Sequence, residues 1–76
     1  GLEFHRGADV VKVWSATDED ADTGLSGEVL SIEHDLVVRC RVGALRITEL
    51  QRPGKTRSSA QAAVQGLHLQ KGEVLQ

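Results

Sequence analysis

An alternation of apolar and polar residues over residues 36–42 (LVVRCRV) restricts most strongly how this chain can fold. Side chains point to opposite faces at successive positions of a strand, so every second residue here would share a face. The predicted inward face consists of Leu36, Val38, Cys40 and Val42. The predicted outward face consists of Val37, Arg39 and Arg41. The pattern therefore predicts a half-buried strand of a β-sheet.

Four further strands are predicted from short segments that are rich in β-branched or alternating apolar residues. They cover residues 4–5, 10–16, 27–32 and 44–52. In the last of these segments (ALRITELQR), Leu50 falls out of step with the alternation that begins at Leu45. An extra residue in one strand changes which face the later side chains occupy, so a β-bulge is predicted near Glu49.

Turn-forming residues separate these segments. Turns are predicted at residues 6–8, at residues 33–35 and at Gly43. Residues 17–27 (TDEDADTGLSG) are polar and contain two glycines, so they bury too little apolar surface for a strand and predict a solvated loop. Pro53 lacks the backbone donor of a sheet ladder, and together with Gly54 it is predicted to end the preceding strand.

One short helix is predicted over residues 60–65, after a Ser-Ser pair. Either Ser58 or Ser59 can cap it, and Ser58 has the spacing of a capping box with the glutamine three positions later. Gly66 is predicted to end the helix, because glycine favours the left-handed conformation found there. Residues 67–76 contain four apolar side chains and are predicted to fold back onto the body as one final short strand.

Together these elements predict a mainly β fold, a small antiparallel OB-like barrel of five to six strands with one short helix near the C-terminus. The 76 residues are predicted to form a single domain over residues 1–76, because so short a chain cannot build two cores. Such a domain is marginally stable, and its only cysteine, Cys40, cannot form an internal disulfide. We therefore expect support from a neighbouring domain. The chain also begins without Met, so we expect either a fragment excised from a longer chain or a chain cut from a tag.

Charge is distributed unevenly along the chain. Residues 1–38 carry nine acidic and two basic residues, whereas residues 39–76 carry two acidic and seven basic residues. The two halves are expected to present opposite electrostatic fields wherever they lie apart on the surface. An anionic partner would therefore prefer the second half.

Several classes of function lack their usual sequence signals. No apolar run approaches the roughly 18 residues of a membrane span, and no secretory signal is present, so a cytoplasmic protein without membrane contact is expected. The three histidines and Cys40 do not have metal-ligand spacing, so no metal site is expected. Phosphate-loop and nucleophile-elbow motifs are also absent. We therefore expect no catalytic residues and no cofactor in this domain.

Four ordered segments resemble the C-terminal domain of methionyl-tRNA formyltransferases. Residues 44–60 (ALRITELQRPGKTRSSA) are similar to the part of that domain in which a strand ending in Glu-Leu-Gln leads through a Gly-Lys loop to a Ser-Ala helix start. Residues 66–75 (GLHLQKGEVL) resemble its closing segment. Residues 11–16 (VKVWSA) and 27–30 (GEVL) are similar to its opening strands. The resemblance covers nearly the whole chain.

The resemblance implies the fold and the role of this chain. The enzymes of this family transfer a formyl group from 10-formyltetrahydrofolate to methionyl-tRNA, with the folate site and the catalytic residues in a separate N-terminal domain. The C-terminal domain is a β-barrel that helps to hold the tRNA. The resemblance therefore implies an accessory module without catalytic activity, whose partners are tRNA and an N-terminal catalytic formyltransferase domain in cis.

The candidate nucleic-acid-binding residues are basic side chains on predicted strands and their adjoining loop. They are Arg46, Arg52, Lys55 and Arg57, with Arg39 and Arg41 as a second group. Phosphate contacts supply most of the sequence-independent affinity for nucleic acid, and these side chains could provide them. The alternative for the first group is an ordinary solvated surface. The alternative for Arg39 and Arg41 is cross-strand pairing with Glu28 or Glu33, and Lys12 would extend this second group if its strand is adjacent.

Trp14 and Cys40 have simpler interpretations than a functional site. Base stacking requires exposed aromatic faces, and Phe4 and Trp14 are the only aromatic residues, so recognition of single-stranded nucleic acid is not favoured. We expect Trp14 to pack against the barrel or against a neighbouring domain, because large aromatic residues usually serve burial. Cys40 alternates with apolar neighbours and is expected to be a small buried residue.

The leading hypothesis from the sequence is a non-catalytic accessory domain of a methionyl-tRNA formyltransferase-like enzyme, which assists tRNA binding through a basic strand and loop. One alternative is a structural domain of a related formyltransferase that acts on another amine, such as a nucleotide sugar. A stand-alone protein-interaction module is the other alternative.

Overall fold

The structure is a computed structural model that describes residues 2–75. It contains six strands and one helix in this part of the chain. They are β1 (Leu2–Arg6), β2 (Asp9–Glu19), β3 (Val29–Ser31), β4 (Leu36–Arg39), β5 (Ala44–Gln51), β6 (Arg57–Ser59) and α1 (Ala60–Leu67). All strand pairs are antiparallel, and the sheet curls into a half-barrel. The predicted mainly β architecture with one short helix near the C-terminus is therefore confirmed. The predictions for Gly1 and Gln76 lie outside the described residues.

Strand β5 organises the sheet, whose strand order is β1-β2-β5-β4-β3. One edge of β5 pairs with β2 along most of its length. Its other edge is shared, since residues 44–47 pair with β4 and residues 49–51 pair with β6. The end of β5 therefore lies between β2 and β6, and side chains from all three strands meet there.

Strand β2 is longer than predicted. Thr17, Asp18 and Glu19 were expected in a solvated loop, but they extend β2, and Glu19 pairs with Ala44 at the start of β5. The prediction was wrong for these three residues, because backbone hydrogen bonding to a neighbouring strand overrides the low intrinsic strand propensity of Asp18 and Glu19. The loop begins at Asp20.

Strand β4 is shorter than predicted. It ends at Arg39, and the amide of Cys40 donates to the carbonyl of Gly43 over 3.0 Å, which turns the chain towards β5. Val42 was expected to face inward but lies in this turn with 92% of its surface exposed. Cys40 is partly exposed rather than buried. The alternation was misleading here because it continues in the sequence beyond the residue at which the strand ends.

The predicted irregularity near Glu49 is present and consists of two compensating shifts between β2 and β5. Ala16 pairs with Ile47 and Ser15 with Glu49, so Thr48 is an extra residue in β5. Val13 pairs with Leu50, so Trp14 is an extra residue in β2. Because of the first shift, Ile47 and Leu50 both face the core although they are three positions apart.

Helix α1 begins after Ser59, whose side-chain oxygen accepts from the amide of Ala62 over 3.2 Å. The cap is therefore Ser59, and the predicted capping box of Ser58 is not the observed cap. The helix continues through Leu67 and ends at His68, which adopts the left-handed conformation with φ 56°. The prediction that Gly66 ends the helix was wrong, since Gly66 lies within the last turn.

Residues 68–75 fold back onto the body, as predicted, but they do not form a strand. They make one isolated bridge, between Glu28 and Val74. Leu69 and Leu75 are buried and anchor the segment in the core. The core residues are Phe4, Val11, Val29, Leu36, Ile47, Leu50, Ala60, Ala63, Val64, Leu69 and Leu75. Over residues 2–75, no helix has the length and apolar character to cross a membrane.

Candidate nucleic-acid interface

The bulge in β2 determines the position of Trp14. Trp14 is the unpaired extra residue, and it remains 53% exposed. Its Nε1 donates to Oε1 of Gln51, at the end of β5, over 2.9 Å. The expectation that Trp14 packs into the barrel is not met, while packing against a neighbouring domain stays a prediction. The ring is held at the surface by a side-chain hydrogen bond.

Arg57 of β6 covers part of this ring. Its guanidinium carbon lies 5.1 Å from the centroid of Trp14, within the distance of a cation–π contact. Arg57 also lies 3.9 Å from a carboxylate oxygen of Glu49, and both side chains are about half exposed. An ion pair at this distance and exposure contributes only about 0–1 kcal/mol. The positive charge of Arg57 therefore remains accessible to an anionic ligand.

Lys12, Gln51 and Arg57 form a row across three strands. Lys12 of β2 pairs with Gln51 of β5, and Gln51 pairs with Arg57 of β6. Directly paired residues of neighbouring strands place their side chains on the same face of the sheet. Lys12 and Arg57 therefore lie on either side of Gln51, on the face from which Gln51 contacts Trp14.

Lys55 lies in the turn that follows this row. Its amide donates to the carbonyl of Arg52 over 3.1 Å, and its own carbonyl accepts from Nε2 of Gln51 over 2.9 Å. The backbone of the turn is thus held by Gln51, while the side chain of Lys55 is exposed. We call this group of five residues the Trp14 surface. It consists of Lys12, Trp14, Gln51, Lys55 and Arg57.

Arg52 is directed towards the helix. A Cβ placed at Gly66 of α1 would come within 2.8 Å of Cζ of Arg52, so the guanidinium lies directly against that glycine. The last turn of a helix carries partial negative charge, which favours a cation in this position. Arg52 therefore follows Gln51 of the Trp14 surface in the sequence, but its side chain contacts α1.

Arg46 is bound by two carboxylates. Its Nε donates to Oε1 of Glu19, and its Nη1 lies 3.3 Å from Oδ2 of Asp35. The hydrogen bond that Arg46 donates to Glu19, followed by the one that it donates to Asp35, raises the pKa of the Arg46 guanidinium above its ordinary value. A phosphate that approached Arg46 would have to compete with both carboxylates.

Arg39 holds the local backbone together. Its guanidinium donates to the carbonyls of Thr23, Cys40 and Gly43, which fixes the loop before β3 to the turn after β4. The cross-strand pairing with Glu28 or Glu33 that was considered for Arg39 and Arg41 does not occur among the ion pairs of residues 2–75. Arg39 uses backbone carbonyls as its partners instead.

Arg41 lies at the opposite end of β5 from Lys55. It is exposed in the turn between β4 and β5, whereas Lys55 follows the last residue of β5. An eight-residue strand is about 25 Å long at roughly 3.3 Å per residue. The six candidate residues therefore do not form one patch, and among them only Lys55 and Arg57 belong to the Trp14 surface.

Lys12 was predicted only as an extension of the group of Arg39 and Arg41, and Gln51 was not predicted as a site residue. Strand β2 lies next to β5 and not next to β4, so Lys12 joins the other end of the sheet. The hydrogen bond between Trp14 and Gln51 depends on the register of β2 with β5, which the two bulges set. Over residues 2–75, no group of three or more His, Cys, Asp or Glu side chains is arranged to hold a metal ion.

Comparison with known proteins gives consistent matches. The profile of a family described as "Formyl transferase, C-terminal domain" matches residues 1–68. A methionyl-tRNA formyltransferase of Ralstonia nicotianae is 40% identical over 67 residues, which cover 83% of this chain and 20% of that protein. One from Neisseria meningitidis serogroup C is 50% identical over 56 residues, covering 72% of this chain and 18% of that protein.

A third relative extends the match further. The methionyl-tRNA formyltransferase of Acidovorax ebreus is 40% identical over 74 residues, which cover 91% of this chain and 23% of that protein. The chain thus spans about a fifth of the length of these relatives. The family resemblance identified from the sequence is confirmed.

Proposed function

The chain belongs to the family of formyl transferase C-terminal domains, and from this membership we propose that it is a non-catalytic accessory domain of a methionyl-tRNA formyltransferase-like enzyme. In this proposal it helps to hold tRNA in the cytoplasm, beside an N-terminal catalytic domain in cis. The formyl donor and the reacting groups belong to that catalytic domain, and this domain contains no cofactor of its own.

The observation that best supports tRNA contact is the grouping of accessible cations at the end of β5. Lys12, Lys55 and Arg57 lie together there. Two carboxylates, those of Glu3 and Glu49, lie at the same end, and those of Glu19, Asp20 and Asp22 lie towards the other end. Phosphates are attracted to exposed Lys and Arg side chains that have no strong competing partner. We propose that these three residues contact the tRNA backbone.

The remaining predicted residues have different proposed roles, which follow from their contacts in the structure. Arg52 lies against α1 and is proposed as a flanking phosphate contact, since its side chain is partly exposed. Arg46 and Arg39 already have protein partners, and we propose that they stabilise the fold. Arg41 is exposed but distant, and we propose that it makes no contact with the same segment of RNA.

The test is a titration of labelled tRNA against this chain at a low and a high salt concentration. Binding through phosphates releases counterions, so the affinity should fall steeply with salt. Replacing Lys55 or Arg57 by Gln should reduce the salt slope by about one unit per lost contact. The matched control is Arg41→Gln, which removes an exposed charge from the other end of β5 and should leave the slope unchanged.

Two outcomes would contradict the proposal. If tRNA does not bind even at low salt, this domain does not itself hold tRNA, and the alternative of a purely structural domain is favoured. If Arg41→Gln reduces the slope as much as Arg57→Gln does, the RNA lies along a different surface. A formyltransferase domain that only packs against its catalytic partner would show no salt-dependent binding at all.

A further inference from the structure

A cavity of about 530 Å³ opens beside the indole ring of Trp14. Its lining consists of Leu2, Glu3, Lys12, Val13 and Trp14. Cavities that bind small organic ligands usually measure about 300–1,000 Å³, so this one is large enough for a single nucleotide. It combines an aromatic ring with apolar side chains, one cation and one carboxylate.

The ring of Trp14 makes two contacts with the protein although the residue is exposed. Gln51 accepts the hydrogen bond from Nε1, and the guanidinium of Arg57 lies against one face. Ordering a side chain on binding costs free energy, and a ring that is already held in place avoids much of that cost. One face of Trp14 is therefore supported by the protein, and the other is available to a planar ligand.

The charges around the ring favour a nucleotide over an apolar peptide segment. Lys12 lines the cavity, and Arg57 lies on the ring, so cations flank the aromatic surface. Nucleotides carry a planar base and a negative phosphate at adjacent positions, and single-stranded nucleic acid binds proteins through this combination of stacking and basic side chains. The carboxylate of Glu3 can accept a hydrogen bond from an amino group of the base.

We propose that Trp14 and the adjoining cavity form a stacking site for one unpaired nucleotide of the bound RNA. This inference rests on the proposed function and adds to it a specific contact with a base. The base stacks on the available face of Trp14, while Lys12 contacts the phosphate. A base inside a duplex cannot enter, because its faces are covered by its neighbours.

The chain offers an intrinsic probe, since Trp14 is its only tryptophan. We expect a single-stranded oligo-A hexanucleotide RNA to quench the fluorescence of Trp14, and a long RNA duplex at the same total phosphate concentration to leave it nearly unchanged. Both RNAs offer phosphates, so the difference between them reports on stacking. Anisotropy of a labelled hexanucleotide then measures the affinity of variants that lack the indole.

Trp14→Leu should weaken binding of the labelled hexanucleotide by about 5- to 150-fold, the usual effect of losing one stacked base. It should leave the salt slope unchanged, because no phosphate contact is lost. Trp14→Phe retains an aromatic face and should recover part of the affinity, which excludes a simple folding defect as the cause. Arg57→Gln is the contrasting variant, since it should change the slope.

The outcomes separate this inference from the proposed function. If tRNA binds with steep salt dependence but Trp14→Leu binds the hexanucleotide as tightly as the original chain, the stacking site is overturned and tRNA contact stands. If no RNA binds, the proposed tRNA contact and the stacking site are both overturned. If the hexanucleotide and the duplex change the fluorescence of Trp14 equally, the response does not come from stacking and the stacking site is overturned.

Discussion

Arg6 of β1 donates a hydrogen bond from its Nε to Oε1 of Glu73 over 2.6 Å, although the two residues are 67 positions apart. The Nη1 of the same guanidinium donates to the carbonyl of Leu67 at the end of α1 over 2.7 Å. One side chain therefore joins the edge strand, the helix and the C-terminal segment. This hydrogen bond from Arg6 is the main reason that the pKa of the Glu73 carboxyl lies below its ordinary value, and burial opposes it.

Glu73→Gln should lower the free energy of unfolding by about 0.5–1 kcal/mol at neutral pH, since the ion pair is partly exposed. Because the folded-state pKa of Glu73 is lowered, its stabilising effect is complete above the usual value of 4.5 and is lost as the pH falls through the folded-state pKa. The difference between the variant and the original chain should therefore shrink in acid. Urea denaturation at neutral and acidic pH measures it.

Glu33→Gln serves as the control for this prediction, because Glu33 is exposed and forms none of the ion pairs described for residues 2–75. It should change stability by less than about 0.5 kcal/mol. A loss from Glu73→Gln that stays constant as the pH falls would show that the pair with Arg6 is not responsible.

Gly27→Ala should destabilise the fold more than Gly72→Ala. Both glycines have nearly the same positive φ, +89° and +92°, so the backbone strain of an alanine is similar at the two sites. A Cβ at Gly27 would collide with the carbonyl oxygen of Leu75, whereas no atom lies within 4 Å of a Cβ at Gly72. We expect a loss of about 1–3 kcal/mol for Gly72→Ala and a further 1–3 kcal/mol for Gly27→Ala. If chemical denaturation gives equal losses of unfolding free energy for the two variants, the predicted collision at Gly27 does not occur.

Leu50→Ala should leave much of the chain unfolded. Leu50 is completely buried at the end of β5, and truncating a buried leucine costs about 2–5 kcal/mol. A single core of this size provides only about 3–5 kcal/mol of net stability. The matched control is Val42→Ala, which alters a side chain that is 92% exposed and should change stability by less than about 0.5 kcal/mol. Thermal unfolding followed by circular dichroism distinguishes them.

Gly66→Ala tests the contact between Arg52 and α1. An interior alanine stabilises a helix by about 0.8–1 kcal/mol relative to glycine, but its Cβ would displace the guanidinium of Arg52. Since that group is the end of a flexible side chain and can move, we expect Gly66→Ala to raise the free energy of unfolding by less than about 0.8–1 kcal/mol. In the Arg52→Ala background the gain should reach about 1 kcal/mol. A double-mutant cycle measures the coupling, and equal gains in both backgrounds would show that there is none.

Much of the fold could be predicted because the local sequence signals match the elements that form. The β-branched segments form strands, the serine before α1 caps it, and the misplaced Leu50 indicates the bulge beside Glu49. Each of these features depends on residues within a few positions of one another. One error occurs where a distant partner decides: residues 17–19 form a strand because β5 lies beside them.

The candidate site was less predictable for the same reason. Arg46 and Arg57 belong to one basic stretch of the sequence, yet Arg46 is bound by Glu19 and Asp35 while Arg57 lies on Trp14. Both carboxylates come from the acidic first half of the chain, whose position relative to Arg46 depends on strand order. Counting charges along the sequence could not show which cations are already neutralised.

The amino-acid sequence by itself determined the elements, most of the core and the family, because hydrophobic periodicity, turn chemistry and the ordered motifs are local properties of the chain. Only the tertiary structure decided which basic side chains remain accessible and which aromatic ring accompanies them. Strand register sets those neighbours, and register here results from two bulges and from pairing between residues more than 30 positions apart.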